Sequence, residues 1–406
     1  MAKHLQALSF FIAGIYALAT QITHSHAAPS YRGFQIPLEA ITSESLDDII
    51  NNWGANELRI QIGNNTEMDG TTGAAYDAMM EEQFSLLDTK LPLIASKGLT
   101  IIFCLYSPPG GFETRTAPSH YQMFSDPTLQ DAFIAKWEEI ITRYGSNPTI
   151  TAFDLVNEPA ANKSLMGEGV RSWNTLLLDT IAAIRAINPS KTLIVKSLYG
   201  DPSKLGQLPA IDDSNIMYSY NSYFYSAYQH SGVFNDPFSV NRPSSERILK
   251  SMRRRLSPFF FKMYKRMEKK LIPSDAFPPK LVVGEATVSG CALEAGTFLS
   301  DLLSAVETDN SEVGERKRNR ALKKWRKKRR RNRRRGISNR GLKKPSFDKS
   351  DFILDVQHYS YAIHAYGEAN VWDPRYSCSS DGEFNLESED TDRAIVIKSF
   401  MSRNFL

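Results

Sequence analysis

Eight short apolar runs, separated by stretches of helical period, restrict this 406-residue chain more than any other feature. The runs are "YRGFQI" (31–36), "ELRIQI" (57–62), "LTIIFCLY" (99–106), "ITAFDLVNE" (150–158), "KTLIVKS" (191–197), "NIMYSY" (215–220), "KLVVGE" (280–285) and "QHYSYAI" (357–363). They are rich in Ile, Val, Phe and Tyr and mostly lack polar–apolar alternation, which is the pattern of parallel strands buried on both faces. Between them, residues 126–148 place Leu129, Phe133, Trp137, Ile140 and Ile141 on one helical face and stop at Gly145, with Pro148 beyond. Residues 169–189 do the same with Trp173, Leu177, Ile181 and Ile184, so both tryptophans read as core. Eight such units predict an α/β fold, a (β/α)8 TIM barrel. A doubly wound open sheet is the alternative, but no glycine-rich phosphate loop follows an early strand.

Two long segments, 231–279 and 308–350, break the even spacing, and both hold basic runs. They read as insertions in one barrel, between strands six and seven and strands seven and eight. The organisation expected is a leader over 1–27 and a single (β/α)8 domain over 28–406, with a basic insertion at 315–344. Residues 316–344 contain 18 Lys/Arg and no Asp/Glu, although the whole chain has a net charge of only +4. The remainder is acidic, with 31 basic residues against 45 acidic ones. A run of like charge is usually solvated. If it has a partner, that partner is an anionic surface or polyanion held by charge.

Lys3 and His4 precede an uncharged apolar stretch, Leu5 to Thr20, and Ser25-His26-Ala27 then offers small residues where a signal peptidase cuts. The stretch is short for a membrane span of about 20 residues. Export to the periplasm or outside the cell is expected, as a monomer with no transmembrane segment after cleavage. Three cysteines, Cys104, Cys291 and Cys378, allow one intrachain bridge in an oxidising compartment, and Cys291–Cys378 is the pair expected. No Cys/His cluster has metal-ligand spacing, so neither metal nor cofactor is expected.

Chemistry in such a barrel sits at the C-terminal ends of the strands. There the sequence offers Arg59, Tyr106, Asn157, Glu158, Asn221, Tyr223, Glu285 and, on the eighth strand, Tyr361 or His364. Glu158 and Glu285 each end an apolar run. One such Glu alone is a solvated cap or a structural ion partner. Two on strands facing across a barrel are the working parts of glycoside hydrolysis, in which one carboxyl donates a proton and the other attacks or activates water.

"FDLVNEP" (153–159), "LVVGE" (281–285), "ELRIQI" and "SPPGG" (107–111) together resemble glycoside hydrolase family 5, the cellulase family of clan A, over most of residues 31–375. The segments 217–232 and 359–374 resemble that family's sixth- and eighth-strand regions. The resemblance implies a retaining hydrolase acting on an oligo- or polysaccharide, a β-glucan or related β-linked glycan. It implies Glu158 as acid/base and Glu285 as nucleophile. Asn157 would bind the hydroxyl beside the reacting carbon, Arg59 would hold Glu285 ionised, and Tyr223 would donate to it. The chain departs from the family in carrying Tyr106 and Asn221 where histidines are usual, and Tyr361 where a sugar-stacking Trp is usual. Trp372, like Phe112, Tyr225 and Tyr228, falls near a loop where a sugar ring can stack. Two further readings remain open: a catalytically impaired barrel that binds carbohydrate, and a polyanion-binding protein acting through 316–344.

Overall fold

The computed structural model describes residues 31–233, 235–269, 280–307, 327–332, 357–366 and 370–405. The leader expected at 1–27 lies outside them, as does the basic insertion, except that residues 327–332 form an exposed piece of helix. Eight strands close into a barrel: β1 (Tyr31–Pro37), β2 (Glu57–Ile62), β3 (Thr100–Leu105), β4 (Ile150–Asp154), β5 (Thr192–Lys196), β6 (Ile216–Asn221), β7 (Lys280–Ala286) and β8 (Gln357–Ile363). Every neighbouring pair is parallel, and β8 pairs back onto β1.

Period two decides what each strand shows to the barrel interior. Ile102, Ala152, Ile194, Met217 and Val282 pack together as an apolar plug. Two residues further along the same strands stand Cys104, Asp154, Lys196, Ser219 and Gly284. The interior thus changes from hydrocarbon to polar groups toward the strand tips. The outward faces carry the larger core, with Phe34, Leu58, Ile60, Phe103, Phe153, Val195 and Tyr220 packed under the helices.

The surrounding helices include α1 (Gly73–Ser96), α2 (Pro127–Tyr144), α3 (Trp173–Ile187), α4 (Ser245–Glu268), α5 (Ala295–Glu307) and α6 (Asp392–Met401). α2 begins where Asp126 accepts from the Thr128 amide ahead of Pro127, and it ends on Gly145. Trp137 and Trp173 are core residues whose indoles also fasten strand tips, donating at 3.0 Å to the carbonyls of Leu155 and Lys196.

Two expectations change. Residues 231–279 are not simply an insertion, because α4 is the barrel's own helix after β6. Ile248, Met252, Leu256, Phe259, Phe260 and Met263 recur at helical spacing and are buried, with the basic residues distributed around them. The units are also unequal, since β5 is followed only by short 3₁₀ turns, Leu198–Gly200 and Pro202–Gln207. Cys291 and Cys378 form a disulfide with Cα atoms 5.1 Å apart, and Cys104 is a buried thiol. Among the described residues, no helix is long and apolar enough to cross a membrane.

Candidate active site

The polar ring opens at the strand tips into a cluster built around two carboxyls. β4 ends at Asp154, earlier than its apolar run suggests. The next residues stay clamped between both neighbouring strands: the Leu155 amide donates to Ile194 O at 3.1 Å and the Asn157 amide to Leu105 O at 2.8 Å. Tyr121 adds a tie, its hydroxyl bridging the carbonyls of Tyr106 (3.0 Å) and Asn157 (2.8 Å). The chain then turns at Glu158, whose φ of +47° lies in the left-handed region. A non-glycine residue held there costs about 1–3 kcal/mol, and such strain concentrates at functional sites. Gly200 (φ +61°) fits beside it because a Cβ there would lie 2.9 Å from Glu158 Oε1.

Arg59 is the buried hub. It donates to Asp154 Oδ2 and Asn157 Oδ1, each at 2.8 Å, and to Gln35 Oε1, and its Nη1 lies 3.5 Å from Glu285 Oε1. Because the guanidinium can only donate, Gln35 must turn its oxygen toward Arg59 and its NH2 toward His364 Nδ1, 2.6 Å away. Tyr223 donates to Glu285 Oε2 at 2.9 Å, and Asn221 Nδ2 donates to Glu158 Oε1.

The two carboxyls are electrostatically opposed. Burial raises the Glu158 pKa, the charge of neighbouring Glu285 raises it further, and the result is about 7. Burial pushes Glu285 up as well. The charges of His364, Arg59 and Lys196 and the Tyr223 hydrogen bond outweigh that push, so its pKa ends below the ordinary value. At neutral pH one carboxyl therefore keeps a proton for part of the time while the other is ionised.

Of the residues singled out from the sequence, Arg59, Asn157, Glu158, Asn221, Tyr223 and Glu285 meet in this cluster. Tyr106 stands at the β3 tip and hydrogen-bonds Arg115. The Trp372 ring is 5.0 Å from that of His230 and 5.9 Å from that of His364, and His230 in turn is 4.9 Å from Tyr223, so an aromatic wall runs past Glu285. Tyr361 is not in the site. Period two puts it with Ile363 on the outward face of β8, where it is buried and donates to Glu307 at 2.9 Å beside the Arg32–Glu307 ion pair. His364, at the tip, takes the inward position instead. Tyr228 is core and Phe112 lies on Tyr121, with centroids 4.2 Å apart.

Sequence reasoning missed Gln35, Asp154 and Lys196. Each sits inside an apolar run at an inward position of its strand, and that parity was the available signal. Among the described residues, no group of three or more His, Cys, Asp or Glu side chains is placed to hold a metal ion.

Residues 23–255 match the cellulase family, glycosyl hydrolase family 5, and the chain belongs to it. Glu158 falls inside the matched region and Glu285 beyond it. Endoglucanase C of Acetivibrio thermocellus is 28% identical over 169 residues, 40% of this chain and 46% of that protein. Cellodextrinase A of Ruminococcus flavefaciens is 24% identical over 185 residues, 45% of this chain and 52% of that one. The chain thus spans about half the length of the curated relatives it matches. Among solved structures, cellulose synthase subunit Z of Clostridioides difficile aligns over 91% of this chain and 99% of its own, with a TM-score of 0.53 and 16% identity. A hyperthermophilic endo-β-1,4-glucanase covers 68% of this chain and 85% of its own, at 0.51 and 17%. At such identities these likenesses speak for the fold alone.

Proposed function

We propose that this chain is an exported retaining β-glycosidase that cleaves β-glycosidic bonds in a β-glucan or related β-linked glycan. The observation that carries the reading is the opposed environment of two neighbouring carboxyls, Glu158 raised to about 7 and Glu285 lowered. In the first step the Glu285 carboxylate attacks the anomeric carbon while Glu158 gives its proton to the leaving oxygen, so the glycosidic bond breaks as a covalent ester forms. In the second, Glu158, now ionised, takes a proton from water, which attacks the same carbon and frees Glu285. Asn157 has its oxygen occupied by Arg59, which leaves its NH2 for the neighbouring sugar hydroxyl. Trp372 supplies an aromatic face for a sugar ring. The names of the relatives, endoglucanase and cellodextrinase, support the substrate class. The apolar leader supports export, and so does the Cys291–Cys378 bridge, since disulfides persist in oxidising compartments.

The test is a panel of aryl β-glycosides and soluble β-glucans with wild type, Glu158→Gln and Glu285→Gln. Glu285→Gln should abolish turnover. Glu158→Gln should spare the first step on substrates whose leaving group needs no proton. Equal loss on activated and unactivated substrates in that step would remove Glu158 from the acid role. Sugar binding without turnover by wild type would make the barrel a carbohydrate-binding scaffold.

A further inference from the structure

Lys196 is a buried cation at the tip of β5, 1% exposed, which the mechanism above does not use. Its Nζ donates to Asn221 Oδ1 at 3.2 Å and to Asn157 Oδ1 at 3.4 Å, and it lies 3.4 Å from Asp154 Oδ2. Room for it is made by β7, the next strand but one. A Cβ on Gly284 would stand 2.5 Å from that Nζ and 2.9 Å from Asn221 Oδ1. A side chain at the glycine of "LVVGE" would push the ammonium from its place.

We propose that Lys196 is a positioning residue of the catalytic pair: by donating to the Asn221 oxygen, and together with Arg59 to that of Asn157, it fixes which end of each amide faces the chemistry. This rests on the glycosidase reading of the same site. An ammonium has donors and no acceptor, so it admits only one orientation of a side-chain amide beside it. Turned over, Asn221 would aim its NH2 at the ammonium, a repulsive contact, and would lose the hydrogen bond its NH2 donates to Glu158 Oε1. With Lys196 present, the Asn221 NH2 is committed to Glu158 Oε1 and the Asn157 NH2 to the sugar side. Asparagine alone, standing where the family usually has histidine, has no such preference.

The same charge acts on the carboxyls. Lys196 opposes the burial that raises Glu158, and it joins His364 and Arg59 in lowering Glu285. The groups facing it come from every neighbouring strand: Arg59 on β2, Cys104 on β3, Asp154, Asn157 and Glu158 on and beyond β4, Ser219 and Asn221 on β6, and Glu285 on β7. Removing the ammonium leaves Glu158 less able to ionise, so its titration moves up in pH.

Glu158 is titrated by 13C NMR in protein labelled at the glutamate carboxyl carbons, with Glu158→Gln supplying the assignment. This readout needs no turnover. In Lys196→Met the Glu158 titration, and with it the basic limb of kcat/KM, should rise by about one pH unit, the scale of one nearby charge. At pH 6, kcat should fall about 10- to 100-fold with KM changed less than threefold, as for loss of an oriented group in general acid catalysis. Lys196→Arg should recover part of the shift. Gly284→Ala should reproduce its direction with the lysine still present, and it carries the test if Lys196→Met does not fold. A folded Lys196→Met or Gly284→Ala protein in which Glu158 titrates as in wild type would overturn the proposal. Wild type that cleaves no β-glycoside would overturn the glycosidase reading, while the titration still decides the role of Lys196.

Discussion

Nη1 of Arg59 lies 3.5 Å from Oε1 of Glu285, and both residues are almost closed to water. The same guanidinium is held at 2.8 Å from Asp154, so its position is fixed from the far side by a second carboxylate. A lysine at this position keeps the charge and loses the planar fork that reaches both partners. Arg59→Lys should therefore lower kcat/KM by about 100-fold or more, the scale of a lost charge-stabilising contact. With the cation on a shorter side chain and drawn back from Glu285, the acid limb of the pH profile should move up. A profile that drops in height without moving would separate Arg59 from the ionisation of Glu285.

The opposed carboxyls define a bell. On the proposed mechanism, turnover requires Glu158 protonated and Glu285 ionised. It should fall as pH rises through about 7, where Glu158 loses its proton, and fall again below the ordinary carboxylate range as Glu285 gains one. The pH dependence of kcat/KM on a small β-glycoside reads both limbs of the free enzyme. In Glu158→Gln, assayed on an activated aryl glycoside in the first step, the basic limb should vanish and the acid limb remain.

Glu158 also leaves a mark on stability. Its folded pKa of about 7 stands above the ordinary value of 4.5, so the folded chain holds a proton that the unfolded chain has released. Between those values stability falls as pH rises, and above about 7 the full penalty of a buried charge is present. Glu158→Gln removes that slope. The variant should gain on wild type by about 1–3 kcal/mol at pH 8 and by little at pH 4.5, measured as denaturant unfolding at both. An equal gain at both would show that the effect does not come from the Glu158 charge.

Deleting residues 316–335, which hold 15 Lys/Arg, should leave turnover of a small soluble glycoside intact. Retention on an anionic matrix at low salt should drop, and the retention of the full chain should itself collapse as salt is raised. Loss of turnover by a folded deletion protein would place the segment in the active site. Unchanged retention would leave it without an anionic partner.

The parts legible in the sequence are those fixed by local pattern. "ELRIQI" and "QHYSYAI" coincide with β2 and β8, and the eight runs together give the barrel. Arg59, Asn157, Glu158, Asn221, Tyr223 and Glu285 were accessible because each stands in or just after an apolar run, at a place where the chain reaches the cleft. Parity was harder. Tyr361 and His364 lie within one short stretch, but only the strand's facing decides which enters the site. Lys196 was hidden because a lysine closing an apolar run reads as a solvated end, and its burial depends on the missing side chain at Gly284, far along the chain. α4 was masked by "RRR" at 253–255 and by Pro258 inside it, while its signal lay in the apolar residues between.

The Cys291–Cys378 bridge encloses the sequence's basic run of trypsin sites. One cysteine precedes the basic run and the other follows it, so every trypsin site between 316 and 335 lies inside the covalent loop the bridge closes. A single nick there leaves the β8 half tethered to the β7 half, with Glu285 on one fragment and His364 and Trp372 on the other. On a gel the clipped protein should run as one band until a reductant is added and as two afterwards. The bridge makes the molecule a potential two-chain enzyme, in which the redox state of the surroundings decides whether a clipped copy remains one particle.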